Sequence, residues 1–320
     1  MMNITAINEL IRKNESFLVT THVNPDPDGI CSQLAFAQYL KSKGKKVAII
    51  NNEKMPVRFH FLPGIKQAKH FHEGMTKKFD VAIVLDCGEP NRIGKVKKLI
   101  KEGVKVVNID HHITNSYFGD VNIVDAKASS TAEVVFEYLK KVKFELTKNV
   151  AIWLYAGIMT DTGSFRYETT TARTHAIAAE LMKFKFSVTE LYRHLYEMVP
   201  IGDLQAFTQV VTRFDALFGG KVVCVELHKK VLSKFSDSFD LRDTIFKFLR
   251  AIKGVEVYVI LTEVSRNKTR VNLRSSRKFD VARLANVFDG GGHKRASGCA
   301  IDKNIKDART KIIRQIKKVI

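Results

Sequence analysis

The sequence of 320 residues is long enough for two domains, and its 45% hydrophobic and 27% charged residues exclude global disorder. Four cysteines without CxxC spacing exclude a disulfide scaffold and a thiolate zinc finger, and they favour a reducing cytoplasm. The longest apolar run, residues 150–159, is too short to cross a bilayer, and the amphipathic helix pattern of residues 1–14 is not a signal peptide. We therefore expect a cytoplasmic protein without a membrane partner.

Positive charge is concentrated in the C-terminal third of the chain. The 53 lysines and arginines exceed the 33 acidic residues by 20, and residues 221–320 carry 24 basic against 10 acidic residues. A positive field of this kind attracts polyanions through steering and counterion release. A solubility bias in a lysine-rich proteome would give the same balance, so the charge favours phosphate-bearing partners but does not identify them.

The first half of the chain alternates short apolar runs with helical segments. We predict strands at residues 17–21, 47–50, 81–85 and 104–109, and a helix at residues 30–42. Continuous apolar strands that alternate with helices are typical of a parallel sheet that is covered on both faces.

The second half is helical at first and then returns to strands. A segment with proline and glycine at residues 198–203 marks the boundary between a first domain, residues 1–197, and a second, residues 218–320, with a linking helix at residues 204–217. We predict an α/β protein with an N-terminal doubly wound, mainly parallel sheet, a smaller C-terminal α/β domain and a cleft between them. The remaining predicted elements are helices at residues 131–141, 148–159, 171–185, 188–196, 239–251 and 304–319 and strands at residues 222–227, 255–264 and 269–274.

Aspartates and histidines collect in four clusters, each at or just after the end of a predicted element. Three of these elements are strands, and ligands bind outside the carboxyl ends of the strands of an open parallel sheet. We therefore expect the side chains to converge at one sheet edge. The clusters are His22, Asp26 and Asp28; Asp86; Asp110, His111 and His112; and Asp161.

Carboxylates gathered at one point predict a metal site. They would repel one another and could not all stay ionised, and one or two divalent cations resolve that conflict. Carboxylate and imidazole ligands without a thiolate suit Mn²⁺, and then Mg²⁺, Fe²⁺ or Co²⁺, better than structural zinc. Two ions about 3.5–4 Å apart would bind phosphoryl oxygens and lower the pKa of a shared water. In the alternative interpretation a strand-end aspartate caps a helix, and Asp26 or Asp28 could cap the helix at residues 30–42.

These motifs resemble those of the DHH phosphoesterase superfamily: an HxxPDxDG-type loop, an isolated Asp, the DHH triplet and a later Asp. The sequence is most similar to the nanoRNase/pAp-phosphatase branch, which has a DHH-associated C-terminal domain. The resemblance extends from the first predicted strand to the glycine-rich motif near residue 290. It implies two Mn²⁺ ions, held by His22 and Asp26, by Asp28 and His111, and by Asp86 and Asp161 in contact with both.

The resemblance also implies the catalytic residues Asp86, Asp110 and His112. In it His112 faces the substrate phosphate, and Asp110 orients a histidine in the way that carboxylates commonly do. The residues by themselves leave the roles of His111 and His112 unseparated.

A glycine run stands beside basic side chains at residues 289–298. Glycines let backbone N–H groups approach an anion, and neighbouring cations complete a phosphate cradle; the alternative is a flexible turn with solvated charges. The run matches the family's GGGH signature, which implies a grip on the nucleotide. Arg274 resembles a second basic position of the family, with a surface arginine as the alternative, and Arg166 follows Asp161 and could face the cleft. The predicted substrate-binding residues are His112, Arg166, Arg274, Gly291, Gly292, His293, Arg295 and Ser297.

The resemblance implies a Mn²⁺-dependent phosphodiesterase that hydrolyses short oligonucleotides such as nanoRNA and pApA, and pAp, to mononucleotides. Cyclic dinucleotides such as c-di-AMP are alternative substrates, and a RecJ-type exonuclease is another alternative, although the chain has no room for an additional OB-like domain. The basic C-terminal third disfavours an inorganic pyrophosphatase. A non-catalytic nucleotide sensor would require the loss of ligand residues, and none is lost. The family also implies a homodimer, without another stable protein partner.

Overall fold

Apolar runs build two sheets, one in each of the two units into which the chain divides. The computed structural model describes residues 4–236, 239–276 and 279–320 of the protein. The first unit ends at Leu195 and the second begins at Tyr196. None of the helices in these described ranges combines the length and the apolar character that a membrane crossing needs.

The strands of the first unit form one parallel sheet. In chain order they are β1 (Ser16–Thr20), β2 (Lys46–Asn51), β3 (Ala68–His70), β4 (Val81–Leu85), β5 (Lys105–Asp110) and β6 (Val121–Val124). Within the described residues they lie side by side in the order β3-β2-β1-β4-β5-β6, and every neighbouring pair is parallel. Every residue of the central strand β4 is buried, and burial of both faces explains its uninterrupted apolar run.

Helices follow the strands and cover the sheet. One face packs against α2 and α3, and an apolar cluster on the other face includes residues of the 3-10 segment Pro90–Leu99. The helices of this part of the chain are α1 (Ile4–Lys13), α2 (Pro27–Ser42), α3 (Thr131–Lys141), α4 (Lys148–Asp161), α5 (Ala172–Met182) and α6 (Val188–Tyr196).

The predicted mainly parallel N-terminal sheet is confirmed, and its four predicted strands lie within one residue of β1, β2, β4 and β5. The edge strands β3 and β6 were not predicted. Both are short and partly exposed, so neither has the continuous apolar run that a central strand requires.

The segment 204–217 is not one linking helix, because its helix spans Ile201–Val211 and residues 215–217 form a strand.

Helix α2 begins three residues earlier than predicted, because Asp26 caps it. The Asp26 side chain accepts a hydrogen bond from the Gly29 backbone N–H at 3.1 Å, and Pro27 occupies the first helical position. The capping interpretation is therefore correct for Asp26. It does not compete with a ligand role, because a carboxylate has several acceptor positions.

The second unit has a mixed sheet. Its strands are β7 (Asp215–Leu217), β8 (Val222–Leu227), β9 (Val257–Ser265), β10 (Lys268–Ser275), β11 (Gly291–His293) and β12 (Ala296–Ile301). In the described part of this unit they lie in the order β11-β12-β10-β9-β8-β7, and only β8 and β9 pair in parallel. Its helices are α7 (Ile201–Val211), α8 (Lys229–Leu232), α9 (Leu241–Leu249), α10 (Val281–Asn286) and α11 (Ile305–Ile316).

Two apolar layers lie on the two faces of this sheet. On one face, residues of β8, β9, β10 and β12 pack against α10 and α11. On the other face the apolar layer is formed by β8 and β9 with α7 and α9, and it includes no residue of β10 or β12. This second face is therefore apolar over only part of its width. The prediction of a smaller C-terminal α/β unit is confirmed.

The glycine run forms part of a β-hairpin rather than an irregular loop. Gly291 pairs with Gly298 and Gly292 with Ser297, across β11 and β12. A Cβ atom at Gly290 would lie 2.5 Å from Cys299 Cβ and 2.8 Å from Cys299 Cα, whereas a Cβ atom at Gly291 would have no heavy atom within 4 Å. Gly290 is therefore required by packing, and Gly291 is not.

We expect Gly290→Ala to lower the free energy of unfolding by about 1–3 kcal/mol, the usual cost of overpacking. Gly291→Ala is the matched control, and its thermal midpoint should stay at the wild-type value. Thermal unfolding followed by circular dichroism measures both. Equal midpoints for the two variants would contradict the packing described at Gly290.

Candidate active site

Asp86 lies at the centre of a cluster of acids and histidines at the carboxyl edge of the first sheet. It follows β4 directly, with a left-handed backbone (φ +54°), and it is 2% exposed. Its Oδ2 atom lies 3.4 Å from His22 Nε2, and its Oδ1 atom lies 3.8 Å from His111 Nε2 and 3.7 Å from His112 Nδ1. Burial alone would raise the pKa of Asp86, but the hydrogen bond from His22 and the charges of the three histidines lower it.

His22 is held with Nε2 directed into the cluster. Its Nδ1 atom lies 2.8 Å from the Val23 carbonyl oxygen, and its Nε2 atom lies 3.8 Å from Asp26 Oδ2. Burial would lower the pKa of His22, but hydrogen bonds to Asp26 and Asp86 raise it to about 10. The carboxylates therefore attract positive charge to Nε2, a nitrogen through which histidine binds metals.

A second group forms around Asp28, which is 1% exposed. Its Oδ2 atom accepts a hydrogen bond from the Thr131 N–H at 2.7 Å, and its Oδ1 atom accepts one from the Ala132 N–H at 2.9 Å. Asp161 Oδ2 lies 3.3 Å from His111 Nε2. Burial and neighbouring carboxylates raise the pKa of both Asp28 and Asp161. This repulsion is the electrostatic conflict that the sequence predicts.

The donor set fits divalent cations. The ligand atoms within each group lie within 4.8 Å of one another, and they are carboxylate oxygens and imidazole nitrogens without a thiolate. Such donors suit Mn²⁺ and similar ions, whose charge would offset the repulsion between the carboxylates. Among the described residues the groups are His22, Asp26 and Asp86; Asp28, His111 and Asp161; and Asp86, His111 and His112.

Asp110 fixes the orientation of His112. The Asp110 side chain is fully buried, and its Oδ1 atom lies 2.7 Å from His112 Nδ1. Its Oδ2 atom accepts a hydrogen bond from Asn115 Nδ2 at 2.6 Å, and the same amide donates to Asn108 Oδ1 at 2.8 Å. The buried polar chain thus sets the position of Asp110 before any substrate arrives.

Thr131 contacts both Asp86 and Asp28, and it was missed from the sequence. Its hydroxyl donates a hydrogen bond to Asp86 Oδ1 at 2.9 Å, while its N–H binds Asp28. It is the first residue of α3, so the positive end of that helix faces the carboxylates. The signal was present, because Ser130 caps the helix and serine before a helical pattern marks its N-terminus. Asn108 and Asn115 were also missed.

An ion pair between the buried Glu133 and the partly exposed Arg173 anchors the N-terminus of α3. The fully buried Glu133 accepts hydrogen bonds from Ser129 Oγ at 2.5 Å and Thr174 Oγ1 at 2.9 Å, and its Oε1 atom lies 2.6 Å from Arg173 Nε. Arg173 also donates to Asp125 at 2.9 Å. These contacts tie the segment that carries Thr131 to α5.

The predicted substrate residues lie outside these groups, except His112. Arg166, in the turn after α4, donates from Nε to the Gly163 carbonyl at 2.8 Å. In the second unit, Arg274 pairs across β10 and β12 with Ala296, which pairs with His293, so Arg274 and His293 share one sheet face. Ser297 is buried and donates its hydroxyl proton to the Val281 carbonyl at 2.5 Å. Gly291 and Gly292 lie in β11, and Arg295 lies in the turn that follows it.

Comparison with known proteins agrees with this architecture. The DHH family, N-terminal domain, matches residues 16–158, and the DHHA1 domain matches residues 219–320. The bifunctional oligoribonuclease and PAP phosphatase NrnA of Thermus thermophilus is 31% identical over 88% of this chain and 83% of its own length. The protein of the same name from Bacillus subtilis is 29% identical over 92% of both chains. The crystal structure of an exopolyphosphatase-related protein from Bacteroides fragilis superposes with a TM-score of 0.88 at 26% identity, covering 98% of this chain and 94% of that one.

A parallel sheet with carboxylates and imidazoles at its carboxyl edge, followed by a second sheet unit, defines a metal-dependent hydrolase of phosphoester bonds. Within that class, the chain belongs to the DHH family, with the DHHA1 domain as its second unit. The resemblance predicted from the motifs is thereby confirmed. The assignment of single residues to each ion and to the substrate stays a prediction.

We expect Asp161→Asn to raise the thermal midpoint of the metal-free protein and to reduce the midpoint increase that Mn²⁺ causes. The first effect follows from removing one charge from a repulsive cluster, and the second from losing a ligand. The matched control is Asp302→Asn, because the Asp302 side chain is 86% exposed in the second unit. Thermal unfolding in EDTA and in Mn²⁺ measures both effects, and an undiminished Mn²⁺ response in Asp161→Asn would count against the site.

Replacement of Thr131 by Val removes the hydroxyl at Asp86 and keeps the N–H at Asp28. We expect Mn²⁺ affinity to fall about tenfold, as is usual when a group that orients a ligand is lost. Thr131→Ser should restore it. Ser130→Ala is the control, because it removes a helix cap worth about 1 kcal/mol of stability without touching Asp86. Calorimetric titration with Mn²⁺ separates the variants, and equal affinities would show that the Thr131 hydroxyl does not position Asp86.

Proposed function

We propose that the protein is a Mn²⁺-dependent phosphodiesterase and exonuclease that hydrolyses short oligonucleotides, and pAp, to mononucleotides. The convergence of six candidate ligands, with Asp86 at their centre, supports hydrolysis of a phosphoester. The relatives from Thermus thermophilus and Bacillus subtilis carry the names of oligoribonuclease and PAP phosphatase, which supports the substrates. The proposal includes the cytoplasmic location and the homodimer that the family resemblance implies.

Two Mn²⁺ ions would be held by the acids and histidines of the first unit. When bound, such ions supply charge that stabilises phosphoryl oxygens, and they make water more acidic. The chain's own contribution is to hold the ligands in place before substrate binds, through the Thr131 hydroxyl on Asp86 and the amide N–H groups on Asp28. The proposed ligands are His22, Asp26, Asp28, Asp86, His111 and Asp161.

His112 would contact the phosphoryl group of the substrate. Asp110 Oδ1 lies 2.7 Å from His112 Nδ1, and Asn115 donates a hydrogen bond to Asp110. These contacts fix the orientation of the imidazole ring. An imidazole fixed in this way can donate a hydrogen bond to a phosphoryl oxygen without the entropic cost of ordering its ring.

The second unit would hold the far end of the nucleotide. Arg274 and His293 share a sheet face, and Gly291 presents its backbone without a side chain in the way. A guanidinium beside exposed backbone N–H groups suits a phosphate. Arg295 belongs to the same proposed surface. Ser297 would contribute indirectly, because its hydroxyl bonds to Val281 and so helps to position β12. In the first unit, Arg166 is proposed as an additional contact to the substrate.

The proposal is tested by a substrate panel with Mn²⁺, with products separated by chromatography. We expect pApA and pAp to yield AMP, and a 24-mer, pyrophosphate and c-di-AMP to react more slowly. Asp86→Asn should abolish turnover, because the central carboxylate contacts both His22 and His111, and the exposed Asp302→Asn should not.

Three outcomes would contradict the proposal. Preferred hydrolysis of the 24-mer would indicate a long-strand exonuclease, and preferred hydrolysis of pyrophosphate an inorganic pyrophosphatase. Tight binding of c-di-AMP without turnover would indicate a nucleotide sensor.

A further inference from the structure

One face of the second-unit sheet is polar along β10. Arg270, Asn272 and Arg274 alternate along that strand, so their side chains lie on the same face. Their partners on the neighbouring strand β9 are Thr262, Ile260 and Tyr258. Ile260 and Tyr258 belong to the apolar layer that packs against α9. On the other side of β10, the same three residues of that strand pair with small residues of β12, which are Ala300, Gly298 and Ala296. Next to β10, this face therefore carries only small side chains, and β10 itself contributes polar ones.

Helix α9 runs along the edge of this polar face. The Arg274 guanidinium lies 4.8 Å from the centroid of the Phe246 ring, and Arg242 lies one helical turn before Phe246. Residues four apart lie on the same side of a helix, so Arg242 is on the side of α9 that Phe246 turns toward β10. Partial burial and the like charge of Arg242 lower the pKa of Arg270. In residues 4–236, 239–276 and 279–320, no carboxylate forms an ion pair or hydrogen bond with Arg242 or Arg270.

Unpaired polar atoms lie on the same face. Thr262, which is 8% exposed, and Asn272 each have a buried side-chain oxygen without a hydrogen-bond partner in the described part of the chain. A buried polar atom left unpaired costs about 1–3 kcal/mol. Within the described residues the cations Arg242 and Arg270 have no counter-ion, and the Thr262 hydroxyl beside them can donate to a phosphate oxygen. Asn272 Oδ1 can only accept, so it suits an O–H or N–H group of the same ligand. The surface therefore suits a polar ligand with anionic groups rather than an apolar partner.

We propose that Arg242 and Arg270 form a second phosphate subsite, which binds a backbone phosphate of an oligonucleotide beyond the nucleotide held at Arg274 and His293. Arg270 and Arg274 are four residues apart on one strand, or about 13 Å. This distance exceeds one step between neighbouring phosphates, so the two arginines engage different nucleotides. The subsite rests on the proposed function, and it makes the protein favour oligonucleotides of several residues over dinucleotides.

Steady-state kinetics on pentaadenylate, pApA and pAp with Mn²⁺ test the subsite. We expect Arg242→Ala and Arg270→Ala each to lower kcat/KM for pentaadenylate about tenfold, the effect of one charged hydrogen bond, and to leave pApA and pAp within twofold. Arg283→Ala is the matched control, because Arg283 is 89% exposed on α10, which packs on the opposite face. Equal losses on all three substrates, or no loss on pentaadenylate, would overturn the proposal.

Binding without catalysis gives a second readout. Fluorescence anisotropy of labelled pentaadenylate with the full-length protein in EDTA should show that each arginine variant reduces the slope of log Kd against log salt by about 0.7. An unchanged slope would overturn the subsite. If the wild type cleaves neither pApA nor pAp while the slopes change as expected, the proposed function fails and the subsite stands. If the wild type cleaves both and the slopes do not change, the subsite alone fails.

Discussion

The burial of several carboxylates at one sheet edge is the constraint on which the first unit depends. Asp28 and Asp86 are withdrawn from water, and neighbouring carboxylates raise the pKa of Asp28 and Asp161. The chain offsets this with imidazoles around Asp86 and with two backbone N–H groups on Asp28. This compensation is partial, and the uncompensated negative charge attracts cations. The candidate metal site is thus a consequence of where the strands end.

Packing around the cluster leaves little room for adjustment. A Cβ atom at Gly157 would lie 2.8 Å from Asp28 Oδ1, so α4 approaches the carboxylate closely because it has no side chain there. On another side, Glu133 and Arg173 hold the start of α3, which carries the N–H groups that bind Asp28. The candidate ligand Asp28 is therefore held in place by α3 and α4, which favours a fixed geometry.

The sequence was sufficient for the central elements and for the acids and histidines of the cluster. A buried strand such as β4 has an apolar run, and the residues of the HxxPDxDG-type loop and the DHH triplet stand at strand ends, where topology brings them together. Edge strands and hydrogen-bond partners were not predictable in the same way. The contact between Thr131 and Asp86 joins residues 45 positions apart, and no local pattern encodes which hydroxyl will face a distant carboxylate. Similarly, no local pattern in the glycine run indicated that Gly291 would pair with Gly298 in a strand.

The left-handed backbone at Asp86 restricts which substitutions this chain can accept over evolutionary time. Glycine, asparagine and aspartate adopt that conformation at a lower energetic cost than other residues, and β-branched residues pay the highest cost. The position is thus restricted twice, by the chemistry of its carboxylate and by the shape of its main chain. Loss of the carboxylate through asparagine would therefore remove the chemistry at this position without straining the main chain.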